Sequence, residues 1–190
     1  MLQYEAIFPW CEIIIQNFNP SFQHGQHKGI SLLFSMDKLF ETYVASCLKI
    51  HIQKPDQLKT QASTQYFVEH QPVNSSNIED WFQLKPDMLL ISPDRQNILD
   101  TKWKLLNFDL NTSKDKYDLN QSDFYQLFAY GHKYMNGQGH MMMIYPSHHH
   151  FLEPLSVFSF TNDLHLWVVP FDLYTEKLIV GDWQKYFSIN

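Results

Sequence analysis

Asp87, Asp100 and Lys102 are the three residues whose types and spacing are best suited to chemistry. Side chains alternate along a β-strand, so Asp100 and Lys102 share one face if the residues around them are extended. With Asp87 at the start of a neighbouring strand, two carboxylates would face a hard divalent cation, with one ammonium group beside them. An oxygen site of this kind is suited to metal-dependent hydrolysis of a phosphodiester.

One β-hairpin is predicted to position these residues. The apolar run from Met88 to Ile91 is typical of a strand buried on both sides, residues 92–97 are dense in turn formers, and residues 98–103 form a return strand. An acid and a lysine on a buried strand carry a desolvation cost, and such charges normally persist only when they are paired or bound to metal. The alternative is a solvent-exposed hairpin in which the acid and the lysine merely form an ion pair.

Glu41 lies in the first of two helices that are predicted before and after the hairpin. Apolar residues recur with helical spacing after the N-cap candidate Ser35, as far as about Ile50. On a helical wheel Glu41 falls at the edge of the apolar arc, just past Leu48. From this pattern alone, Glu41 is either a residue of the site or a boundary residue that faces water.

Gln126 and Tyr130 lie one turn apart in the second helix, on the same face as Asp123, and Ser122 is the N-cap candidate. A glutamine and a tyrosine at this spacing can hydrogen-bond a phosphate or steady a catalytic lysine. A polar helix face without a role is the alternative. The polar residues 107–120 are expected to form a mobile loop beside the site or a plain solvated linker.

These segments together resemble the PD-(D/E)XK nuclease superfamily. Pro86-Asp87 supplies the PD element, and residues 100–102 supply D-x-K. Three segments, in order along the chain, are similar to the nuclease part of McrC, the cleavage subunit of the 5-methylcytosine-dependent McrBC restriction system. They are F-S-M-D-K-L-F-E-T-Y-V at 34–44, L-D-T-K-W-K at 99–104 and Q-S-D-F-Y-Q-L-F-A-Y-G-H-K-Y at 121–134. The resemblance runs from roughly Phe34 to Tyr145.

The resemblance implies a DNA endonuclease that depends on Mg²⁺, with Mn²⁺ as the other candidate metal. By analogy the metal ligands are Asp87, Asp100, the carbonyl of Thr101 and Glu41. Lys102 would position the attacking water and offset the charge that develops on the phosphate.

Accessory residues and partners also follow from the resemblance. Gln126 and Tyr130 match the Q-x-x-x-Y motif that RecB-like members of the superfamily place beside the active site. The implied partners are DNA and a McrB-like AAA+ GTPase. A single site of this kind cuts one strand, so a double-strand break would need two copies, either as a homodimer or on a shared motor.

Composition and charge bound these roles. The chain is 44% hydrophobic and 16% aromatic, which is typical of a globular domain with a well-stocked core. No apolar run approaches the roughly 18 residues of a membrane span and no signal peptide is evident, so we expect no membrane association and a cytoplasmic location. The net charge of −6 argues against strong autonomous binding to nucleic acid, so either a partner brings the DNA or metal ions offset the acidic site, and the resemblance implies the first.

The order helix, strand, hairpin, helix, strand predicts an α/β fold with a mixed central sheet flanked by helices. This agrees with the restriction-endonuclease-like αβββαβ core that the resemblance implies. We expect one nuclease domain over residues 1–190, with a core at about 34–145, a helical N-terminal extension at 1–33, and a closing hairpin and terminal helix at 151–190. The region by which McrC-like proteins engage their GTPase is expected to be missing.

Two other functions remain open at this point. The chain could be a non-catalytic assembly module that docks on an AAA+ GTPase. Such a module would not need Asp87, Asp100 and Lys102, and their presence argues against this alternative. It could also be a nuclease of the same fold that acts on a repair flap or junction.

Overall fold

The computed structural model describes residues 35–189 of the chain. Within that range lie two α-helices, nine β-strands, a short left-handed turn at Lys116–Asp118 and a short 3₁₀ turn at Asp182–Lys185. The helices are α1 (Met36–His51) and α2 (Gln121–Met135). The strands are β1 (Gln57–Thr60), β2 (Gln65–His70), β3 (Glu79–Leu84), β4 (Met88–Ile91), β5 (Gln96–Thr101), β6 (Gly139–Pro146), β7 (Phe158–Ser159), β8 (Leu164–Asp172) and β9 (Lys177–Leu178).

Seven of these strands form one mixed sheet in the order β1-β4-β5-β6-β8-β7, with β9 also paired to β8. The neighbours β5, β6 and β8 run parallel, and the remaining pairs are antiparallel. Parallel neighbours need a crossover connection, and α2 lies in the crossover from β5 to β6. The central strands are covered on both faces, which explains why residues 141–145 of β6 form an unbroken apolar run.

The two helices cover opposite faces of this sheet. Val44 and Leu48 of α1 belong to the same apolar cluster as Met142 of β6, whereas Leu127 of α2 belongs to the cluster that contains Met143. Successive residues of a strand point to opposite faces, so successive β6 methionines reach different helices. The sheet therefore forms the middle layer between two apolar cores.

Close packing at Gly131 sets the position of α2. A Cβ at Gly131 would lie 2.8 Å from Leu164 Cδ2 and 3.1 Å from Met141 Sδ, so a larger residue would require these side chains or the helix to shift. The polar residues one turn earlier in α2 are thereby held over the end of β5.

β2 and β3 form a separate two-stranded antiparallel sheet, inserted in the connection between the paired strands β1 and β4. Most of its residues are exposed. Its base is fixed by the Tyr134 hydroxyl of α2, whose single O–H is shared between the carbonyls of Leu84 (2.8 Å) and Ala62 (3.2 Å).

The predicted α/β class with a mixed central sheet is confirmed. β4 and β5 form the expected hairpin with Met88 opposite Leu99, but β5 ends at Thr101, so Lys102 lies just beyond the strand. The N-cap of α2 is Asn120 and the prediction of Ser122 was wrong, because the Asn120 side-chain oxygen accepts the N–H of Ser122.

Strands β1 and β3 were not predicted, because β1 is short and mostly polar and β3 lacks a strict alternation of apolar and polar residues. In the C-terminal region β7 and β8 pair antiparallel, and a 3₁₀ turn stands where a terminal helix was expected. The extension at 1–33 and residue 34 lie outside the described residues, so the extension and the single-domain organisation stay predictions. Among the described residues, no helix is long and apolar enough to cross a membrane.

Leu48→Ala should lower the free energy of unfolding by about 2 to 5 kcal/mol, because Leu48 is only 1% exposed in the cluster between α1 and the sheet. Ile50→Ala, on the same helix but 78% exposed, should change it by less than about 0.5 kcal/mol. Urea unfolding followed by far-UV circular dichroism measures both. A loss at Ile50 as large as that at Leu48 would contradict the assignment of the buried face.

Candidate functional site

Asp100 and Lys102 form an ion pair at the end of β5. Lys102 Nζ lies 2.6 Å from Asp100 Oδ2, and the side chains are 24% and 2% exposed. Among the described residues, Asp100 Oδ2 has no partner with the geometry of a hydrogen bond, so the contact is one of charge. Asp100 faces the α2 side of the sheet and pairs in register with Met143 of β6. A charged group thus stands where the surrounding strands present apolar side chains.

Asp87 immediately precedes β4, and the register of the hairpin brings it beside Asp100. Its Oδ2 accepts hydrogen bonds from the backbone N–H and the hydroxyl of Thr101, both at 2.7 Å. The N–H of Gln61, just after β1, donates to the Asp87 carbonyl at 2.8 Å. Two neighbouring strands therefore fix this residue, and Oδ1 is not used by the Thr101 bonds.

A chain of hydrogen bonds holds Lys102 from the side of α2. Lys102 Nζ donates to Gln126 Oε1 at 3.2 Å, and Gln126 Nε2 donates to the Tyr130 hydroxyl at 2.7 Å. The Tyr130 hydroxyl in turn donates to the carbonyl of Lys85 at 3.0 Å. The chain links the ammonium group to the main chain two residues before Asp87, so the two ends of the site are held relative to each other.

Glu41 reaches the site from α1, on the other side of the sheet. Both of its carboxylate oxygens are bound by Lys38 Nζ, at 2.7 and 2.8 Å, and Gln61 Nε2 lies 3.4 Å from Oε1. Glu41, Lys38, Gln61 and Asp87 line one cavity of 360 Å³. Glu41 therefore shares a cleft with Asp87, but an ion pair with Lys38 occupies its carboxylate.

The site contains one ammonium group and two carboxyl groups whose ionised forms are disfavoured by burial. Burial raises the pKa of Asp100 to about 7, and the nearby Asp87 carboxylate adds to the rise. Burial also raises the pKa of Asp87, against the two hydrogen bonds from Thr101. Burial acts to lower the pKa of Lys102, but the surrounding acidic groups, Asp100 first and then Asp123 and Asp87, together outweigh it and the pKa is raised. The lysine is cationic at neutral pH, whereas the two carboxyls lack sufficient countercharge.

This donor set fits a hard divalent cation that keeps part of its shell as water or substrate. Within residues 35–189, no group of three or more His, Cys, Asp or Glu side chains is placed to hold a metal ion, so the site is no all-protein cage. Mg²⁺ is usually held by one or two carboxylates together with water and phosphate oxygens. Asp87, whose Oδ1 is not used by the Thr101 bonds, and Asp100, whose Oδ2 would be shared with Lys102, meet that requirement.

The structure brings the sequence-predicted residues to one place: Asp87, Asp100, Thr101, Lys102, Gln126 and Tyr130 in direct contact, and Glu41 through the shared cavity. Two further residues were not assigned a role from the sequence. Asp123 Oδ1 lies 3.8 Å from Lys102 Nζ, and Lys38 binds Glu41. Their positions three residues before Gln126 and Glu41 were the available signal, because residues at this spacing are neighbours on a helix.

Asp100→Asn should remove a pH dependence of stability that the wild type shows when metal is removed with EDTA. The fold raises the pKa of Asp100 from 3.8 to about 7, so the stability contributed by the protonated carboxyl is fully present below about pH 4 and is lost as the pH rises through about 7. The loss should reach a few kcal/mol in the wild type and should be much smaller in the variant.

Urea unfolding between pH 4 and pH 8 measures this difference. Asp182→Asn, at an exposed position, is the matched control and should follow the wild-type curve. Parallel curves for wild type and Asp100→Asn would mean that the Asp100 carboxyl ionises as it does in water.

Comparison with known proteins gives one family and one fold. The family model for McrBC 5-methylcytosine restriction system components matches residues 1–146. One matching solved structure is a chain of the refined half-complex from the tetradecameric assembly of Thermococcus gammatolerans McrB AAA+ hexamers with bound McrC. Its TM-score is 0.50 at 17% identity, over 80% of this chain and 32% of that chain, so this chain spans about a third of its length and the likeness concerns the fold. No curated protein sequence matches. Because the family model covers most of the sequence, the chain belongs to the McrBC 5-methylcytosine restriction system component family.

Proposed function

We propose that this chain is the McrC-type cleavage component of a McrBC-type restriction system and acts as a metal-dependent DNA endonuclease. The observation that carries the proposal is the buried ion pair of Asp100 and Lys102 beside the carboxylate of Asp87. A buried ion pair often stabilises a fold less than apolar residues of similar volume would. A catalytic role would explain why these charged groups lie at the end of a buried strand although they add little stability.

The order of elements supports a PD-(D/E)XK core. Without the inserted β2–β3 sheet, the chain runs α1, β1, β4, β5, α2, β6, which is the αβββαβ order of that superfamily. The Pro-Asp element precedes the middle one of the three antiparallel strands, and the D-x-K element closes the third. Both elements of the motif therefore meet at one end of the hairpin.

Asp87 and Asp100 would hold Mg²⁺ or Mn²⁺, with the carbonyl of Thr101 as a further ligand. When bound, such a cation polarises the phosphate and lowers the pKa of a water molecule. Thr101 holds the Asp87 carboxylate ready by two hydrogen bonds, so this ligand needs no reorganisation. Glu41 would complete or orient the metal shell if its carboxylate were released from, or shared with, Lys38.

Lys102 would orient the attacking water and offset the charge that develops on the phosphate. Gln126 and Tyr130 act as positioning residues, because they fix the ammonium group without standing between it and the carboxylates. A preorganised cation of this kind stabilises a transition state more effectively than one that must be ordered during the reaction.

The proposed substrate is DNA and the proposed partner is a McrB-type AAA+ GTPase. The solved complex with the similar fold is described as McrB AAA+ hexamers with bound McrC. The net charge of −6 disfavours tight autonomous DNA binding, so the partner would bring the substrate to the site. Because one site cuts one strand, we propose that two copies of the chain act together in a double-strand break.

Lys102→Arg should fold, bind metal and lose at least about a hundredfold of the nicking activity. Arginine keeps the countercharge for Asp100, but its larger planar group cannot take the place of a compact ammonium at the phosphate. Plasmid nicking with Mg²⁺, in the presence of a McrB-type GTPase and GTP, measures the effect. Lys59→Arg, on the exposed strand β1, is the control for the same substitution. Equal nicking by wild type and Lys102→Arg would exclude Lys102 from catalysis.

Asp87→Ala and Asp100→Ala should each weaken Mg²⁺ binding by at least about tenfold, since each removes an oxygen ligand. Titration calorimetry gives the affinities, and Asp182→Ala is a surface control. Mn²⁺ should replace Mg²⁺ in the nicking assay, whereas Ca²⁺ should bind and support almost no cleavage. The same Mg²⁺ affinity in wild type and both variants would remove these carboxylates from the metal site.

A further inference from the structure

A second cavity, separate from the proposed site, is lined by three aromatic rings together with polar side chains. Its volume is 440 Å³, and its walls come from the loop at residues 111–119, the first turns of α2 and strand β7. Tyr117, Phe124 and Phe158 supply three rings, and Phe124 and Phe158 pack edge to face with centroids 5.3 Å apart. None of these residues belongs to the carboxylate–lysine site.

The loop on one side of this cavity has an unusual backbone. Lys116, Tyr117 and Asp118 have φ angles of 53°, 56° and 64°, so three successive residues with side chains adopt the left-handed conformation. Such residues cost of the order of 1 kcal/mol or more each and persist only where the surrounding structure enforces them. This turn places the Tyr117 ring on the cavity.

Several hydrogen bonds enforce the turn. The N–H of Tyr117 donates to the Leu110 carbonyl at 2.7 Å, and the N–H of Asn107 donates to the Tyr117 carbonyl at 3.4 Å. Lys104 Nζ, two residues after Lys102, donates to the carbonyl of Asp118. The loop is therefore tied to the chain that leaves the active-site strand.

The chemistry of the walls suits a nucleobase. Flat aromatic faces stack with any base, and the side-chain amides of Asn111 and Gln121 offer hydrogen bonds to a base edge. Gln121 Nε2 already donates to the Tyr125 hydroxyl, which leaves its carbonyl oxygen to accept. Lys116 also lines the cavity and supplies a cation for the phosphate that accompanies a base.

The location of the cavity suits a base next to the cleaved phosphate. Phe124 follows Asp123, whose Oδ1 lies 3.8 Å from Lys102 Nζ, so the cavity begins at the α2 residue next to the aspartate that faces the lysine of the site. We propose that this cavity holds one unstacked nucleobase of the DNA strand, adjacent to the phosphate at the carboxylate–lysine site. The proposal rests on the proposed function for the path of the DNA. An apolar protein side chain is the competing occupant.

The test uses the full chain, Ca²⁺ in place of Mg²⁺, and two DNA strands of equal length. One strand is abasic throughout, and the other carries a single 2-aminopurine in an otherwise abasic backbone. The single base should tighten binding to wild type by about five- to a hundredfold, and stacking on the aromatic rings should quench its fluorescence.

Phe124→Leu should abolish most of this gain, because leucine fills the apolar volume but offers no flat ring. Phe128→Leu is the matched control, since Phe128 lies one turn later on α2, is 42% exposed and does not line the cavity. Asn111→Ala, at an exposed position, gives a second variant that leaves the packing intact and should also weaken the base effect. Melting temperatures verify that each variant folds.

Equal affinity of wild type for the two strands, or equal behaviour of Phe124→Leu and Phe128→Leu, would overturn the proposal. An apolar dye bound equally by wild type and Phe124→Leu, without any base effect, would instead indicate a protein side chain. Base binding by a wild type that never nicks DNA would keep this inference and remove the nuclease function. Nicking by wild type without any base effect would keep the nuclease function and overturn this inference.

Discussion

The rest of the site depends on one electrostatic constraint, the presence of a carboxyl group in the dry interior at the end of β5. Solvent cannot neutralise the Asp100 charge there, so the protein must supply a proton, a lysine or a metal ion. The strands on either side provide the dry surroundings, and α2 provides the polar groups that hold the lysine. The apolar packing of the strands therefore excludes water from Asp100, whereas the polar network of α2 holds its lysine partner.

Residues 100–102 make different contacts because successive side chains of an extended chain point in opposite directions. Asp100 and Lys102 point toward α2, whereas Thr101, between them, binds the carboxylate of Asp87 through both its N–H and its hydroxyl. The intervening residue therefore fixes the second carboxylate while the outer two form the ion pair. A one-residue change of register would exchange these roles and separate the three groups.

The parts of the structure that follow from local pattern were predictable from sequence. The apolar run at 88–91 and the turn formers after it specify the hairpin, and strand alternation then places Asp100 next to Lys102. Contacts that depend on tertiary packing were not predictable, such as the hydrogen bond from Tyr130 to the Lys85 carbonyl. The left-handed turn at Lys116–Asp118 contains no glycine or asparagine, and only Asp118 is of a type that adopts this conformation at times, so the sequence gives little signal for it. Short polar strands at a sheet edge, such as β1, also lack the apolar alternation by which strands are recognised.

The connection between β1 and β4 leaves the sheet and returns to it at almost the same place. Gln61, where it departs, donates its N–H to Asp87, where it returns, and Tyr134 bonds to both Ala62 and Leu84 just inside these points. The small sheet between them is therefore a detour whose length is independent of the geometry at its ends. Such a closed detour is a natural graft point, where a protein engineer can exchange one surface appendage for another while the acid at its root keeps its place.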